Sequence, residues 1–437
     1  MSYENKTVGI YTLGCKVNQY ESEAIAEKLE KHGFSVVSAS GVHDAYVINT
    51  CTVTAESDRK ARQLIRRVIG KNPNAPVVVT GCMAQVSYDE VAAIEGVDAV
   101  VGNTNKVKCA DIIERLITEG KSKTPEIYVE DIKNSSFESM SIEHFERTRA
   151  YVKIEDGCES RCTYCIIPDA RGSIRSKPVE DVIREVESLT RGGCREIVLT
   201  GIETGSYGKD LGGVDLADLL SKIDKIDGIG RVRLGSLDPS IIKEDFVKRI
   251  ACLKSLAPHF HLSLQSGSSR ILALMKRKYN ARQAMAAIEL LRRYIPDVKF
   301  TTDIIVGFPG ESEEDFLETA EFVKNAGFLM AHVFPYSKRK GTPAAAMQGQ
   351  IPKDEKSKRL HILSDIEADV RRAILESEIG NGKVKEVLFE TFSDGVAVGH
   401  TSDFLEVRVP SPCPLHAKTY PVRFLSTDGN ALLGEIV

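Results

Sequence analysis

Hydrophobic positions change their spacing twice along this chain, and each change marks a different kind of structure. From Thr7 to about Leu116, short apolar runs alternate with amphipathic stretches. The runs Thr7–Leu13, Ala45–Asn49, Val77–Thr80 and Val97–Val101 predict strands, while Ala24, Ile25 and Leu29 share a helical face that Gly33 brings to a stop. This alternation predicts a doubly wound parallel sheet, an α/β fold, over residues 1–121. Residues 122–146 are polar and lack periodicity, which predicts a linker with one strand at Ile127–Val129. A second alternation fills residues 147–379, with strands at Tyr151–Ile154, Glu196–Leu199, Arg231–Gly235, His259–Leu264, Phe300–Val306 and Ala331–Phe334. Helical patterns lie between them, as at Pro178–Leu189. Six strand–helix units predict a partial TIM-like barrel, with a second doubly wound sheet as the rival arrangement. A charged helix from Lys353 to about Ile379 ends that region. Beyond it, Lys385–Phe389, Val396–His400, Phe404–Val409, Tyr420–Phe424 and Leu432–Ile436 predict a small all-β, OB-like barrel over residues 380–437.

Composition narrows this picture. Of the 437 residues 42% are hydrophobic and 27% charged, a globular balance, and the net charge of −4 gives a nucleic acid no overall attraction. Such a partner must meet a local basic surface. Met1–Lys6 is polar and no apolar run reaches bilayer length, so neither a secretory leader nor a membrane contact is expected. The expected compartment is the cytoplasm, where thiols stay reduced. That gives the ten cysteines chemical weight.

Cys158, Cys162 and Cys165 follow the first strand of the second region in Gly157-Cys-Glu-Ser-Arg-Cys-Thr-Tyr164-Cys. One loop at this spacing can wrap three thiolates around one iron–sulfur cluster. Such clusters normally take four cysteines, so three leave an iron open. A zinc knuckle or closed structural cluster is the alternative, although zinc wants a fourth local Cys or His and the loop has none. Three further cysteines, Cys15, Cys51 and Cys82, each follow a strand of the first region. Sites in open parallel sheets form beyond the carboxyl ends of strands, where these three can converge. Ordinary buried cysteines are the alternative, which accounts for one of them more easily than for three. Gly14 and Gly81 each precede a cysteine, as suits backbone passing close to a bulky inorganic group. Cys109, Cys194, Cys252 and Cys413 have no motif around them and read as structural.

The three-cysteine loop, with Tyr164 before its last member, resembles the radical S-adenosylmethionine (SAM) superfamily. With the N-terminal cysteines and the C-terminal β module, the whole chain resembles the radical SAM methylthiotransferases. Further matching segments are Cys165-Ile-Ile-Pro168-Asp-Ala-Arg171-Gly172, Leu262-Ser-Leu-Gln265-Ser-Gly267 and Asp303-Ile-Ile-Val-Gly-Phe-Pro309-Gly310-Glu311. Asp169 departs from the pattern, where an aromatic residue is frequent. The segment Gly14-Cys-Lys-Val-Asn-Gln-Tyr-Glu-Ser22 resembles the branch acting on N6-threonylcarbamoyladenosine in tRNA, beside the anticodon. The isopentenyladenosine branch tends towards Gly-Cys-Gln-Met-Asn, and the branch modifying a ribosomal-protein aspartate towards Gly-Cys-Pro-Lys-Asn.

The resemblance implies two [4Fe–4S] clusters, one on Cys158, Cys162 and Cys165 and an auxiliary one on Cys15, Cys51 and Cys82. It implies two SAM molecules per turnover: one methylates a sulfur carried at the auxiliary cluster, the other yields the radical used at adenine C2. The C2–H bond is unactivated towards polar chemistry, which is the reason for a radical. Gln265, Asp303, Ser236 and Glu203 at strand ends are the expected SAM contacts, with Arg171 or Arg175 for its carboxylate. The implied partner is a tRNA anticodon loop with its target base turned out. The C-terminal barrel (called TRAM in the family) and the runs Lys276-Arg277-Lys278 and Lys338-Arg339-Lys340 are expected to hold it. An electron donor and a sulfur donor are required besides. A non-catalytic iron–sulfur RNA-binding protein is the distant alternative.

Overall fold

A computed structural model describes residues 6–38, 40–145, 147–380 and 383–437. Met1–Asn5 of the polar start, Glu146 at the end of the expected linker, and Asn381 and Gly382 at the start of the expected barrel lie outside the described residues.

Strands β1 (Thr7–Thr12), β2 (Ser35–Ser38), β3 (Ala45–Thr50), β4 (Val77–Gly81), β5 (Ala99–Val101) and β6 (Glu126–Tyr128) form a sheet in the order β2-β1-β3-β4-β5-β6. Every neighbouring pair is parallel. β3 and β4 are buried at every residue, as their continuous apolar runs require with helices on both faces. The segment expected as a linker thus contributes the sixth strand. The strand order reverses between β1 and β3, the place where open parallel sheets form a crevice beyond the carboxyl ends. Cys15 and Cys51 leave β1 and β3 at that reversal.

The second region runs β7 (Arg149–Lys153), the hairpin β8 (Glu155–Asp156) with β9 (Arg175–Ser176), then β10 (Glu196–Thr200), β11 (Arg231–Leu234), β12 (Ser236–Leu237), β13 (His259–Gln265), β14 (Lys299–Val306) and β15 (Met330–Pro335). Pairing follows chain order, β7-β10-β11 and then β12-β13-β14-β15, all parallel, and only Gly235 separates β11 from β12. An order without reversal makes a half-barrel, not a second doubly wound sheet. Side chains alternate along these strands. Ala150, Val152 and Ile154 join the hydrophobic core, while Arg149 and Lys153, in the opposite phase, make ion pairs.

Strands β16 (Val384–Ser393), β17 (Val396–Thr401), β18 (Glu406–Pro410), β19 (Thr419–Thr427) and β20 (Leu432–Ile436) close a barrel around Val387, Phe389, Val407, Val422 and Leu432. This barrel docks at the strand starts of the half-barrel. Phe404 stacks on His259, with ring centroids 4.4 Å apart, Arg149 pairs with Glu390, and Arg231 donates to the His400 carbonyl at 3.2 Å. Among the described residues no helix is long and apolar enough to cross a membrane.

Candidate active site

At the opposite end of the half-barrel, a cavity of about 400 Å³ opens beyond the strand ends. Cys158, Cys162 and Cys165 line it together, because Gly157 turns the chain out of β8 at φ +91°. A side chain at Gly157 would meet the Ser173 carbonyl at 1.9 Å, so the turn needs glycine. The Cys158 amide donates to the Gly172 carbonyl at 3.0 Å, which ties the loop to the turn ahead of β9. Each sulfur has its own polar neighbour: Ile167 N–H donates to Cys165 Sγ at 3.4 Å, Arg277 Nη1 to Cys162 Sγ at 3.2 Å, and the Cys158 thiol donates to Glu203 at 3.3 Å. Burial pushes the Cys165 thiol up to about 11 and raises Cys158 further, so these groups become thiolates only when iron displaces their protons.

The polar floor contains four of the expected SAM contacts, Ser236, Glu203, Gln265 and Asp303. Gln265 sits at φ +72°, where the register of β13 against β14 slips, a strained backbone of the kind that collects at functional sites. Asp303 lies 3.3 Å from His261. Burial works to raise the Glu203 carboxyl, but Lys278 at 3.1 Å overrules it and holds it low. Ile305 and Tyr336 give the wall apolar surface, and Phe334 stands at the cavity 50% exposed.

The N-terminal cysteines come together as their strand ends do. Thr50 pairs with Gly81 across β3 and β4, so Cys51 and Cys82 leave the sheet at one level. A Cβ on Gly14 would stand 2.8 Å from Cys51 Cβ, and one on Gly81 would meet the Thr50 carbonyl at 2.4 Å. Both glycines are therefore needed for the close approach of neighbouring chain. Cys15 is open to solvent and Cys51 and Cys82 are buried, with burial pushing Cys51 up to about 11.

Arg171 and Arg175 are not at the cavity. Arg171 is wholly buried and points the other way: Nε donates to Cys82 Sγ at 3.2 Å, Nη2 to Asn18 at 2.7 Å and Nη1 to Glu21 at 2.6 Å. Arg175 donates to the carbonyls of Ile132 at 3.2 Å and Arg171 at 2.8 Å. The expected basic runs are engaged only in part, and Lys276, Lys338 and Lys340 remain exposed. Arg277 is held by Cys162 and by Asp238 at 2.8 Å, Lys278 by Glu203, and Arg339 is buried against Asp58 and Thr52. Sequence reading missed Arg277 and Asp238 as cavity residues. Ser263, two residues before Gln265 on the same strand face, was the one with a readable signal.

Each cysteine set supplies three thiols, the donor number that suits a cluster with one open iron. Beside Cys82, the buried cations Arg171, Lys106 and Lys153 pair with the carboxylates Glu21 and Asp156. Val53 and Thr54, which follow Cys51, line the same cavity as Cys158, Cys162 and Cys165.

The model of the Radical SAM superfamily matches residues 152–323, and that of Uncharacterized protein family UPF0004 matches residues 7–102. Threonylcarbamoyladenosine tRNA methylthiotransferase MtaB of Bacillus subtilis (strain 168) is 41% identical, over 92% of this chain and 90% of its own. The chain belongs to the radical SAM methylthiotransferases. The Thermotoga maritima protein of the same name is 42% identical, over 92% and 91% of the two chains. The tRNA-2-methylthio-N(6)-dimethylallyladenosine synthase of Acetivibrio thermocellus is 34% identical, over 99% and 92%. The solved structure of the radical SAM methyltransferase TsrM from Kitasatospora setae has the same fold at 17% identity, with a TM-score of 0.57 over 79% of this chain and 77% of that one. Membership in the radical SAM methylthiotransferases brings with it a [4Fe–4S] cluster and SAM.

Proposed function

We propose that this chain inserts a methylthio group at C2 of N6-threonylcarbamoyladenosine in tRNA, beside the anticodon. One observation carries the reading: residues next to Cys51 and all three cysteines of the barrel loop face one cavity. A sulfur carrier on one wall and a radical source on the other leave the reacting carbon a single place between them. Relatives bearing the threonylcarbamoyladenosine name support the substrate, and the isopentenyladenosine relative supplies the second candidate.

Cys158, Cys162 and Cys165 would hold the cluster that binds SAM, and Cys15, Cys51 and Cys82 the auxiliary cluster. When bound, these groups supply the electron that cleaves SAM and a place to carry sulfur, with two SAM consumed per turnover. Gln265, Asp303 and Ser236 orient the cofactor's polar groups, with Glu203 beside them. Arg277 donates to Cys162 Sγ, and hydrogen bonds of this kind set a cluster's potential. Ile305 and Tyr336 keep water from a reactive radical, and Phe334 offers its face to an unstacked base. Electrons and sulfur come from outside the chain.

The test counts iron and sulfide per chain after anaerobic reconstitution, for wild type and for Cys158→Ala/Cys162→Ala/Cys165→Ala. A fall from about eight irons to about four supports two independent clusters. Wild type holding about four and the variant none would remove the auxiliary cluster, and the sulfur-inserting role with it. Nucleoside mass analysis of anticodon stem-loops carrying either modified adenosine then decides the substrate.

A further inference from the structure

Arg277 and Lys278, the cations at the cavity, are engaged, the first by Cys162 and Asp238 and the second by Glu203. A third cation close by is not. Lys16 follows Cys15 and opens helix Lys16–Lys31. It is exposed, and it makes no hydrogen bond or ion pair among the described residues.

Helical spacing puts Lys16, Gln19 and Glu23 on one stripe. Gln19 and Glu23 meet Arg147 at 3.4 and 3.9 Å, two residues before β7 begins. Glu21, on the neighbouring stripe, pairs with Lys153 at the end of β7. The helix therefore lies against β7, an outer edge of the half-barrel, and its first side chain reaches past that edge. The charged groups that act on Lys16 are Arg149 of β7, Glu196 of β10, Arg233 of β11 and Asp303 of β14, and His332 of β15 feels its charge in turn. Strands that far apart around the half-barrel have one place in common, its interior.

Arg233 is the charge that acts on Lys16 most strongly, and among the described residues no carboxylate bridges the two. Arg233 gives Nε and Nη2 to Glu196, at 2.7 and 3.2 Å. Its buried Nη1 has no hydrogen-bond partner among the described residues, a rare and costly condition for an N–H group. Asp303 does not satisfy either cation, since its neighbour is His261 at 3.3 Å. An ammonium and one edge of a guanidinium, on separate elements, thus meet inside the half-barrel with donors to spare. A carboxylate fits them, with one negative charge and an oxygen for each. Arg233 and Ser236, which lines the cavity, are three residues apart, about 10 Å along the chain. That is comparable to the span from adenine C2 through N6 to the acid of a threonylcarbamoyl group.

We propose that Lys16, with Nη1 of Arg233, binds the carboxylate of the threonylcarbamoyl group, so that the substituent on N6 enters the half-barrel and C2 is held at the cavity. This rests on the threonylcarbamoyladenosine reading above. SAM brings a carboxylate too, and the experiment separates the two sources. The reconstituted full chain is assayed on anticodon stem-loops carrying threonylcarbamoyladenosine or its carboxamide, a neutral group of nearly the same shape, with KM read separately for RNA and for SAM. Wild type should prefer the acid by at least about tenfold in kcat/KM, the effect of one charge-assisted contact. Lys16→Gln should narrow that preference to within about twofold, through KM for the acid-bearing RNA, and Lys16→Arg should keep part of it. The preference is a ratio taken within each variant, so a general loss of iron or activity cancels from it. Wild type without a preference, or Lys16→Gln with one as large as wild type's, overturns the proposal. So does a rise in KM for SAM in place of RNA, which would make the cofactor's carboxylate the ligand. Wild type that acts on neither threonylcarbamoyl form but on isopentenyladenosine overturns the substrate reading itself.

Discussion

Two buried carboxylates, one on each side of the half-barrel, sit in matching surroundings and serve different neighbours. Glu21, on helix Lys16–Lys31, is surrounded by Arg171, Lys106 and Lys153. Glu196, first residue of β10, is surrounded by Arg149 at 3.0 Å, Arg231 at 3.5 Å and Arg233 at 2.7 Å. Burial works to raise both carboxyls, and the three cations overrule it in both, holding Glu21 well below the usual carboxylate range and Glu196 at about 2. Each centre has more cations than its carboxylate can satisfy. At Glu21 the surplus faces the sulfur of Cys82. At Glu196 it faces Glu390 and the ring of Phe404, which lies 5.3 Å from the Arg149 guanidinium and 4.8 Å from that of Arg233. The same device therefore presents fixed positive charge twice, and the group receiving it decides the outcome. A thiol can ligate iron, whereas an aromatic face can only dock.

The largest effect is expected at the Glu21 centre. Arg171→Met removes the buried donor that reaches Glu21, Asn18 and Cys82 together and leaves those acceptors unpaired in a site closed to water, at a cost of about 3–5 kcal/mol. The melting temperature of the cluster-free chain should fall steeply, with Arg171→Lys falling less, and iron retained by the Cys158→Ala/Cys162→Ala/Cys165→Ala background should fall with it. A melting temperature unchanged by Arg171→Met would mean that the two centres are not built alike.

The Glu196 centre is best probed by acid. Its carboxyl is depressed from an ordinary 4.5 to about 2, so the stability it contributes is present above the ordinary value and is lost as pH falls towards 2. The loss is on the order of 3 kcal/mol. Other depressed carboxylates add to acid unfolding, so the informative quantity is the difference between wild type and Glu196→Gln. Denaturant midpoints of the two should converge as pH drops from about 5 to 2. Midpoints that stay parallel would show that Glu196 is not held ionised by its arginines.

These contrasts also mark what the sequence could tell. Strand and helix spacing made all three folding units legible, because burial imposes a period on every element. The loop Cys158–Cys165 was legible because its three sulfurs share one turn of chain. Cys15, Cys51 and Cys82 were legible only through the rule that parallel strands end together. Charge was not legible in the same way. Arg171 follows the barrel's cysteine loop by six residues, yet helix Ile167–Arg171 turns its side chain to the other cysteine set. Arg277 lies in a basic run expected to meet the RNA, yet it comes back 115 residues to Cys162. A cation's partner is set by tertiary position, and no local pattern encodes that.

Phe404 gives the smallest and sharpest test, because two substitutions there separate contact from strain. Its backbone sits at φ +75°, the left-handed region that costs a residue with a Cβ about 1 kcal/mol or more. The docking of its ring on His259 and the two arginines offsets that cost. Phe404→Ala removes the ring and keeps the strain, so it should destabilise by about 2 kcal/mol for the lost burial. Phe404→Gly removes the ring and the strain together, although glycine's greater freedom in the unfolded chain returns part of the gain. Phe404→Gly should therefore unfold at a denaturant concentration slightly above Phe404→Ala, with the gap below about 1 kcal/mol. Iron content should be the same in both and equal to wild type, because the cavity lies at the other end of the strands. Equal midpoints for Ala and Gly would mean that the left-handed backbone is held by the β17–β18 connection regardless of the ring, and a loss of iron would mean that the two ends of the half-barrel are coupled.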